Sequence, residues 1–186
     1  MDKDYVKWNG KPMDVTGRAE EEVRTYEFLN TLGIDFMTLY HPAAFTMEEC
    51  ERVRDRIEAP VFKNLFLTNK QHTLFYLLMM PADKPFKTKY LSSQLGCARL
   101  SFASEEEMVE MLHIHPGAVS PLGLRNDVNG QVRLIIDSDL KDSGRYACHP
   151  CVNTASVAMT LEDLLGKVIP ATDHDFTWVE LPQEPE

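Results

Sequence analysis

Apolar positions change their spacing several times along the chain, and each change marks an element. Between residues 19 and 32, Val23, Tyr26, Phe28, Leu29 and Leu32 recur near the helical period with Glu and Arg between them. That spacing predicts a helix, and Gly33 follows as its terminating glycine. Ile34 to Tyr40 reads as a strand stopped by His41-Pro42. Thr46-Met47-Glu48-Glu49 has the form of a capping box and opens a helix to about Ile57. After Pro60, Val61 to Leu67 and Thr73 to Met80 read as two strands joined by a polar link, Thr68 to His72.

The second half follows the same logic. Residues 82 to 96 hold a basic loop and a short helix, Tyr90 to Leu95, closed by Gly96. Ser104-Glu105-Glu106-Glu107 is a second capping box, for a helix to about Leu112. His113 to Gly123 contains Pro116, Gly117, Pro121 and Gly123 and reads as a loop. Val132 to Asp137, Tyr146 to Cys148, Val157 to Met159 and Phe176 to Leu181 read as strands, with a short helix at Thr160 to Leu165. Residues 1 to about 16 contain Gly10, Pro12 and scattered charges and read as a loosely attached N-terminal arm, leaving residues 17–182 as one domain. Strands that are both hairpin-linked and helix-separated indicate a single α/β domain.

Composition narrows the class. With 186 residues and 44% hydrophobic positions, a packed core forms without disulfide or metal support. The longest apolar run, Leu74 to Pro81, is strand length, so no membrane span is expected. The first residues lack the apolar stretch of a signal peptide, and Cys50, Cys97, Cys148 and Cys151 are expected as reduced thiols in the cytoplasm. A net charge of −10 argues against general nucleic-acid binding. The charge is uneven, however: Val61 to Ser104 holds six basic residues against Asp83 alone. That segment is either a solvated basic face or a local site for an anionic ligand.

Three features could carry chemistry. Cys148-His149-Pro150-Cys151 has dithiol spacing. It lacks a second pair for zinc and the strand-to-helix setting of a thioredoxin-like centre, so the favoured reading is two thiols flanking a histidine. Lys63 sits inside an apolar strand, at a solvent-facing alternation position or at a ligand. Gly117-Ala118-Val119-Ser120-Pro121 is either an ordinary turn or a loop whose glycine lets backbone approach a ligand.

In this order, Lys63-Asn64-Leu65-Phe66-Leu67, Gly117-x-x-x-Pro121-Leu122-Gly123 and His149-Pro150-x-x-Asn153-Thr154-x-Ser156 resemble the prolyl-tRNA-editing deacylases of the YbaK/ProX type. The resemblance runs from about Glu21 to Leu181. Leu32-Gly33-Ile34 and His41-Pro42-Ala43-Ala44-Phe45-Thr46 resemble the free-standing alanine-editing branch, ProXp-ala or PrdX. The resemblance implies a central mixed β-sheet flanked by helices and hydrolysis of the ester in mischarged alanyl-tRNA of proline type. It also implies no metal or dissociable cofactor, the acceptor end of tRNA as partner, and an association with prolyl-tRNA synthetase. Lys63, Gly117 and His149 are the catalytic candidates it implies; Asn64, Ser120, Pro121, Asn153, Thr154 and Ser156 are the substrate-binding ones. The sister activity on cysteinyl-tRNA, a non-catalytic tRNA- or synthetase-binding module and a thiol oxidoreductase are the alternatives.

The chemistry is consistent with such a site. An aminoacyl ester is already activated, so water can attack it if the ester is positioned and the developing oxyanion is stabilised. Backbone N–H groups near Gly117 suit the oxyanion, and Lys63 offers a compact positive charge for the terminal adenosine or its phosphate. His149 could orient the substrate or act as base. A methyl-sized pocket excludes proline by bulk, which a synthetase site cannot do in reverse.

Overall fold

The computed structural model of the chain describes residues 4–44 and 47–183. Thr46, read as the cap of the second helix, lies outside them. The elements run β1 (Val6–Asn9), α1 (Glu20–Thr31), β2 (Met37–Tyr40), α2 (Met47–Ile57), β3 (Phe62–Thr68), β4 (Phe75–Pro81), α3 (Thr88–Gln94), β5 (Ser101–Phe102) and α4 (Glu105–Leu112). A 3₁₀ helix at Pro121–Asn126 follows, then β6 (Val132–Asp137), a 3₁₀ turn at Ser138–Leu140, β7 (Arg145–Cys148) and β8 (Ala155–Thr160). The chain ends with α5 (Leu161–Asp163), a π turn (Leu164–Val168), α6 (Ile169–Ala171) and β9 (Phe176–Val179).

The mixed sheet has five strands in the order β5-β3-β4-β6-β9, with β4, β6 and β9 parallel and the β3 pairings antiparallel. An antiparallel sheet of four strands, β1-β2-β8-β7, stands beside it. Among the described residues a single isolated bridge, Val61 to Ala147, joins the two where β3 begins and β7 runs past. β4 explains the long apolar run. Phe75, Leu77 and Met79 pack into the main core, and Tyr76, Leu78 and Met80 into a second cluster on the other face. A strand covered on both faces is apolar throughout rather than alternating. Each such buried side chain contributes about 1.5–3 kcal/mol relative to exposure.

β1 has no counterpart in the sequence reading. Val6–Asn9 is mostly exposed, and its alternation of Val6 and Trp8 with Lys7 and Asn9 spans only four residues, yet it pairs in register with β2, and the Gly10 N–H donates to the Phe36 carbonyl at 2.7 Å. Its support is backbone pairing, which a local pattern does not carry. The last helix also runs further than expected, reaching Ala171 through the π turn. Pro170 supplies no N–H there, and a wider turn accommodates the missing bond.

The segment that becomes the site is held firmly. Ser104 caps α4: its hydroxyl accepts from the Glu107 N–H at 3.2 Å, and the Glu107 carboxylate accepts from the Ser104 N–H at 2.7 Å. His113 ends the helix in the left-handed conformation, φ 53°. The loop that follows is closed at its base, where the Asn126 amide donates to the Leu112 carbonyl at 2.8 Å. A β-carbon on Gly123 would lie 2.6 Å from Ile114 Cδ1 and 3.2 Å from the Leu112 carbonyl oxygen, so a side chain there would displace the end of Ile114 and press on Leu112, and glycine lets the 3₁₀ helix seat this close. Between these anchors, Gly117 turns the chain with φ 89°.

Candidate active site

A cavity of about 220 Å³ opens where the two sheets meet. Phe62 and Asn64 reach it from β3, Gly117 and Val119 from the loop, Cys148 and His149 from the end of β7, and Ser156 from the start of β8. Four of the catalytic and substrate-binding candidates therefore converge, Asn64, Gly117, His149 and Ser156, with Cys148 beside them.

Lys63 does not join them. Strand alternation turns it away from the face of Phe62 and Asn64, and its Nζ donates to the Lys84 carbonyl at 2.9 Å. Ser120 and Pro121 are buried behind the loop rather than lining the cavity. The Ser120 hydroxyl accepts from the Leu122 N–H and Pro121 begins the 3₁₀ helix, so both hold the loop's shape. Asn153 and Thr154 lie in the β7–β8 turn outside the cavity wall. Thr154 secures that turn. Its carbonyl accepts from the His41 N–H at 3.1 Å and from Arg18 at 3.3 Å. Arg18 in turn pairs with buried Glu22 at 2.7 Å and lies 4.0 Å over the Tyr40 ring.

The basic segment is altered as well. Lys84 is 2% exposed, its ammonium held between Asp137 at 2.7 Å and Asp139 at 2.9 Å. Burial opposes its charge, but the hydrogen bonds and attraction of the two carboxylates outweigh that and raise its pKa. It is a structural cation and is not offered to a phosphate.

Hydrogen bonding fixes the polarity of the cavity. His149 Nδ1 donates to the Ala155 carbonyl at 2.9 Å across the turn, which leaves Nε2 as an acceptor. Burial lowers the His149 pKa below the ordinary histidine value, with the Ala155 carbonyl opposing in part, so the ring is neutral at pH 7. Asn64 Oδ1 is buried and accepts no hydrogen bond among the described residues. Such an orphaned acceptor in a cavity wall is an opening for a donor on a ligand. Gly117 and Val119 supply the complementary groups. Neither N–H donates to a backbone carbonyl among the described residues.

The two cysteines are quiet. Both are buried free thiols. Burial pushes the Cys148 thiol up to about 12 and raises Cys151 too, so neither supplies a thiolate at neutral pH. The reading of two thiols flanking a histidine is the one the geometry supports.

His41 was missed as a functional candidate. The sequence presents it as a strand stop and as the start of the His41 to Thr46 motif, with no role of its own, whereas the fold places its Nε2 3.0 Å from Ser156 Oγ, 115 residues away. No local pattern links the two.

The model of the aminoacyl-tRNA editing domain family matches residues 41–166, a span that holds every residue lining this cavity. The chain belongs to that family. The editing domain is 33% identical over 153 residues to the prolyl-tRNA editing protein ProX of Acetoanaerobium sticklandii, covering 82% of this chain and 93% of that one. It is 35% identical over 165 residues to prolyl-tRNA synthetase associated domain-containing protein 1 of Danio rerio, covering 88% and 85%. A crystal structure ascribed to a trans-editing enzyme for prolyl tRNA synthetase superposes with a TM-score of 0.66 over 88% of this chain and 99% of that one, at 18% identity. That likeness shows the fold, and it agrees with the single α/β domain and mixed sheet expected from the sequence. No helix among the described residues is long and apolar enough to cross a membrane.

Proposed function

We propose that this editing domain hydrolyses the ester of alanyl-tRNA of proline type, acting in trans to correct prolyl-tRNA synthetase. The observation that carries the reading is the small cavity that places the Gly117 loop opposite neutral His149. At about 220 Å³ it is below the roughly 300–1,000 Å³ of ordinary small-molecule sites. It suits an aminoacyl group, with the terminal ribose left at the mouth, and a methyl side chain fits where a pyrrolidine ring crowds the walls.

In this mechanism the ester carbonyl faces the Gly117–Val119 backbone, whose free N–H groups stabilise the oxyanion as water attacks. The unprotonated Nε2 of His149 accepts a hydrogen bond from that water or from the terminal ribose hydroxyl. Asn64 Oδ1 and Ser156 Oγ accept from the α-amino group. Lys63 is assigned no contact with the reacting atoms; its role is to hold the Lys84 loop. A tRNA substrate and association with the synthetase follow from the same reading, as does a site of action in the cytoplasm.

The test is a panel of alanyl-, cysteinyl- and prolyl-tRNA incubated with the purified protein. Loss of the alanyl ester with retention of the prolyl ester is expected. Faster loss of the cysteinyl ester would assign the sister activity, and no loss of any ester would leave a binding module.

A further inference from the structure

His41 is 4% exposed and Ser156 3%, and the two meet at 3.0 Å beside the cavity. The direction of that hydrogen bond is determined by the other side of the ring. His41 Nδ1 lies 2.8 Å from the Pro42 carbonyl, which can only accept, so Nδ1 carries the proton. Nε2 is then a bare acceptor, and the Ser156 hydroxyl donates to it. A serine has one proton to give. With it committed to His41, Ser156 Oγ shows the cavity only lone pairs.

We infer that His41 is a positioning residue: by taking the Ser156 proton it fixes Ser156 as a hydrogen-bond acceptor for the α-amino group of the aminoacyl ester. The inference deepens the editing reading and rests on it. Without His41 the hydroxyl rotates freely and can present its proton to the amine, replacing attraction by conflict.

A serine held at this distance from a histidine also has the geometry of a nucleophile and its base. The surroundings favour the acceptor role. His41 is oriented by a neutral carbonyl rather than a carboxylate, and burial opposes the charge it would gain on taking a proton fully, outweighing the partial support of the Pro42 and Ala155 carbonyls and of Glu22.

The experiment compares two esters on the same tRNA of proline type, alanyl and propionyl, which differ only in the α-amino group. Wild-type protein should hydrolyse the alanyl ester faster. His41→Asn keeps a group near Nδ1 but does not reach Ser156. It should lose roughly tenfold to a hundredfold on the alanyl ester, the range for a hydrogen bond to a charged group, and little on the propionyl ester. His41→Gln, whose amide oxygen can occupy the Nε2 position, should recover much of the loss, and Ser156→Ala should match His41→Asn. An unchanged alanyl preference in His41→Asn would overturn the inference while leaving the editing reading intact. Absence of wild-type alanyl hydrolysis would overturn both. An alanyl ester on Ser156, caught by acid quench and found by peptide mass spectrometry, would replace the acceptor role by a nucleophilic one. A second readout needs neither variant nor substrate: long-range ¹⁵N–¹H spectra of the native protein should show His41 as the Nδ1–H tautomer, and an Nε2–H tautomer would refute the assignment.

Discussion

Replacing Gly117 by alanine separates backbone catalysis from side-chain catalysis, because it removes no functional group. Gly117 has φ 89°, outside the region an L-residue adopts readily. A β-carbon there costs about 1–2 kcal/mol if the loop keeps its shape. For a domain of this size each kcal/mol moves Tm by about 2–4 °C, so a drop of about 2–8 °C is the most the substitution should produce. The loop is pinned at its base by Gly123 and Asn126, so strain is relieved locally, by turning the peptides around residue 117. Those peptides carry the N–H groups assigned to the oxyanion, and losing one good donor lowers kcat by about 100- to 1,000-fold. Gly130→Ala is the matched control: φ is 62°, nothing lies within 4 Å of the added carbon, and the residue is outside the cavity. Single-turnover deacylation of alanyl-tRNA and thermal melts of both variants make the comparison. Similar melts with only Gly117→Ala impaired in kcat are expected. Full activity in Gly117→Ala would refute the backbone mechanism.

Other consequences follow from the charges and thiols. The acid limb of the pH–rate profile should have its midpoint below the ordinary histidine value near 6.5, since burial lowers the His149 pKa; a midpoint above 6.5 would contradict a ring held neutral by burial. Lys84→Met leaves Asp137 buried without its cation and should cost about 3–5 kcal/mol in urea unfolding, whereas a loss under 1 kcal/mol would show the pair to be idle. Because the Lys84 pKa is raised on folding, its contribution is complete below its unfolded value near 10.5 and fades as pH climbs through the folded value, which alkaline unfolding curves can follow. Cys151→Ser should keep deacylation within about threefold of wild type in the same single-turnover assay, and a dead variant would revive thiol chemistry.

Much of the fold was legible because its signals are local. The Ser104 capping box, the Gly33 and Gly96 stops and the limits of Val132–Asp137 all appear where the pattern put them. What was hidden depends on pairing across the chain. The exposed strand Val6–Asn9 exists by virtue of β2, and the division into two sheets turns on one bridge at Val61. The site shows the same divide. Asn64, Gly117, His149 and Ser156 could be named from motif spacing, and they do meet. Alternation along β3 says that Lys63 and Asn64 face opposite ways, but both faces of that sheet are packed. Which face borders the cavity is decided by the second sheet. His41 and Lys84 were passed over because their partners, Ser156 and Asp137, are distant in sequence. A charged residue closing the apolar run Val132–Asp137 was the one faint sign of a buried cation.

The central claim is that the cavity beside Gly117 and His149 hydrolyses alanyl but not prolyl esters. Its most direct test is single-turnover deacylation of the two esters on one tRNA of proline type, with enzyme in excess. The alanyl ester should disappear at least about a hundredfold faster than the prolyl ester, a difference of about 2.7 kcal/mol in transition-state binding. Equal rates for the two, or a prolyl ester cleaved faster, would contradict the account.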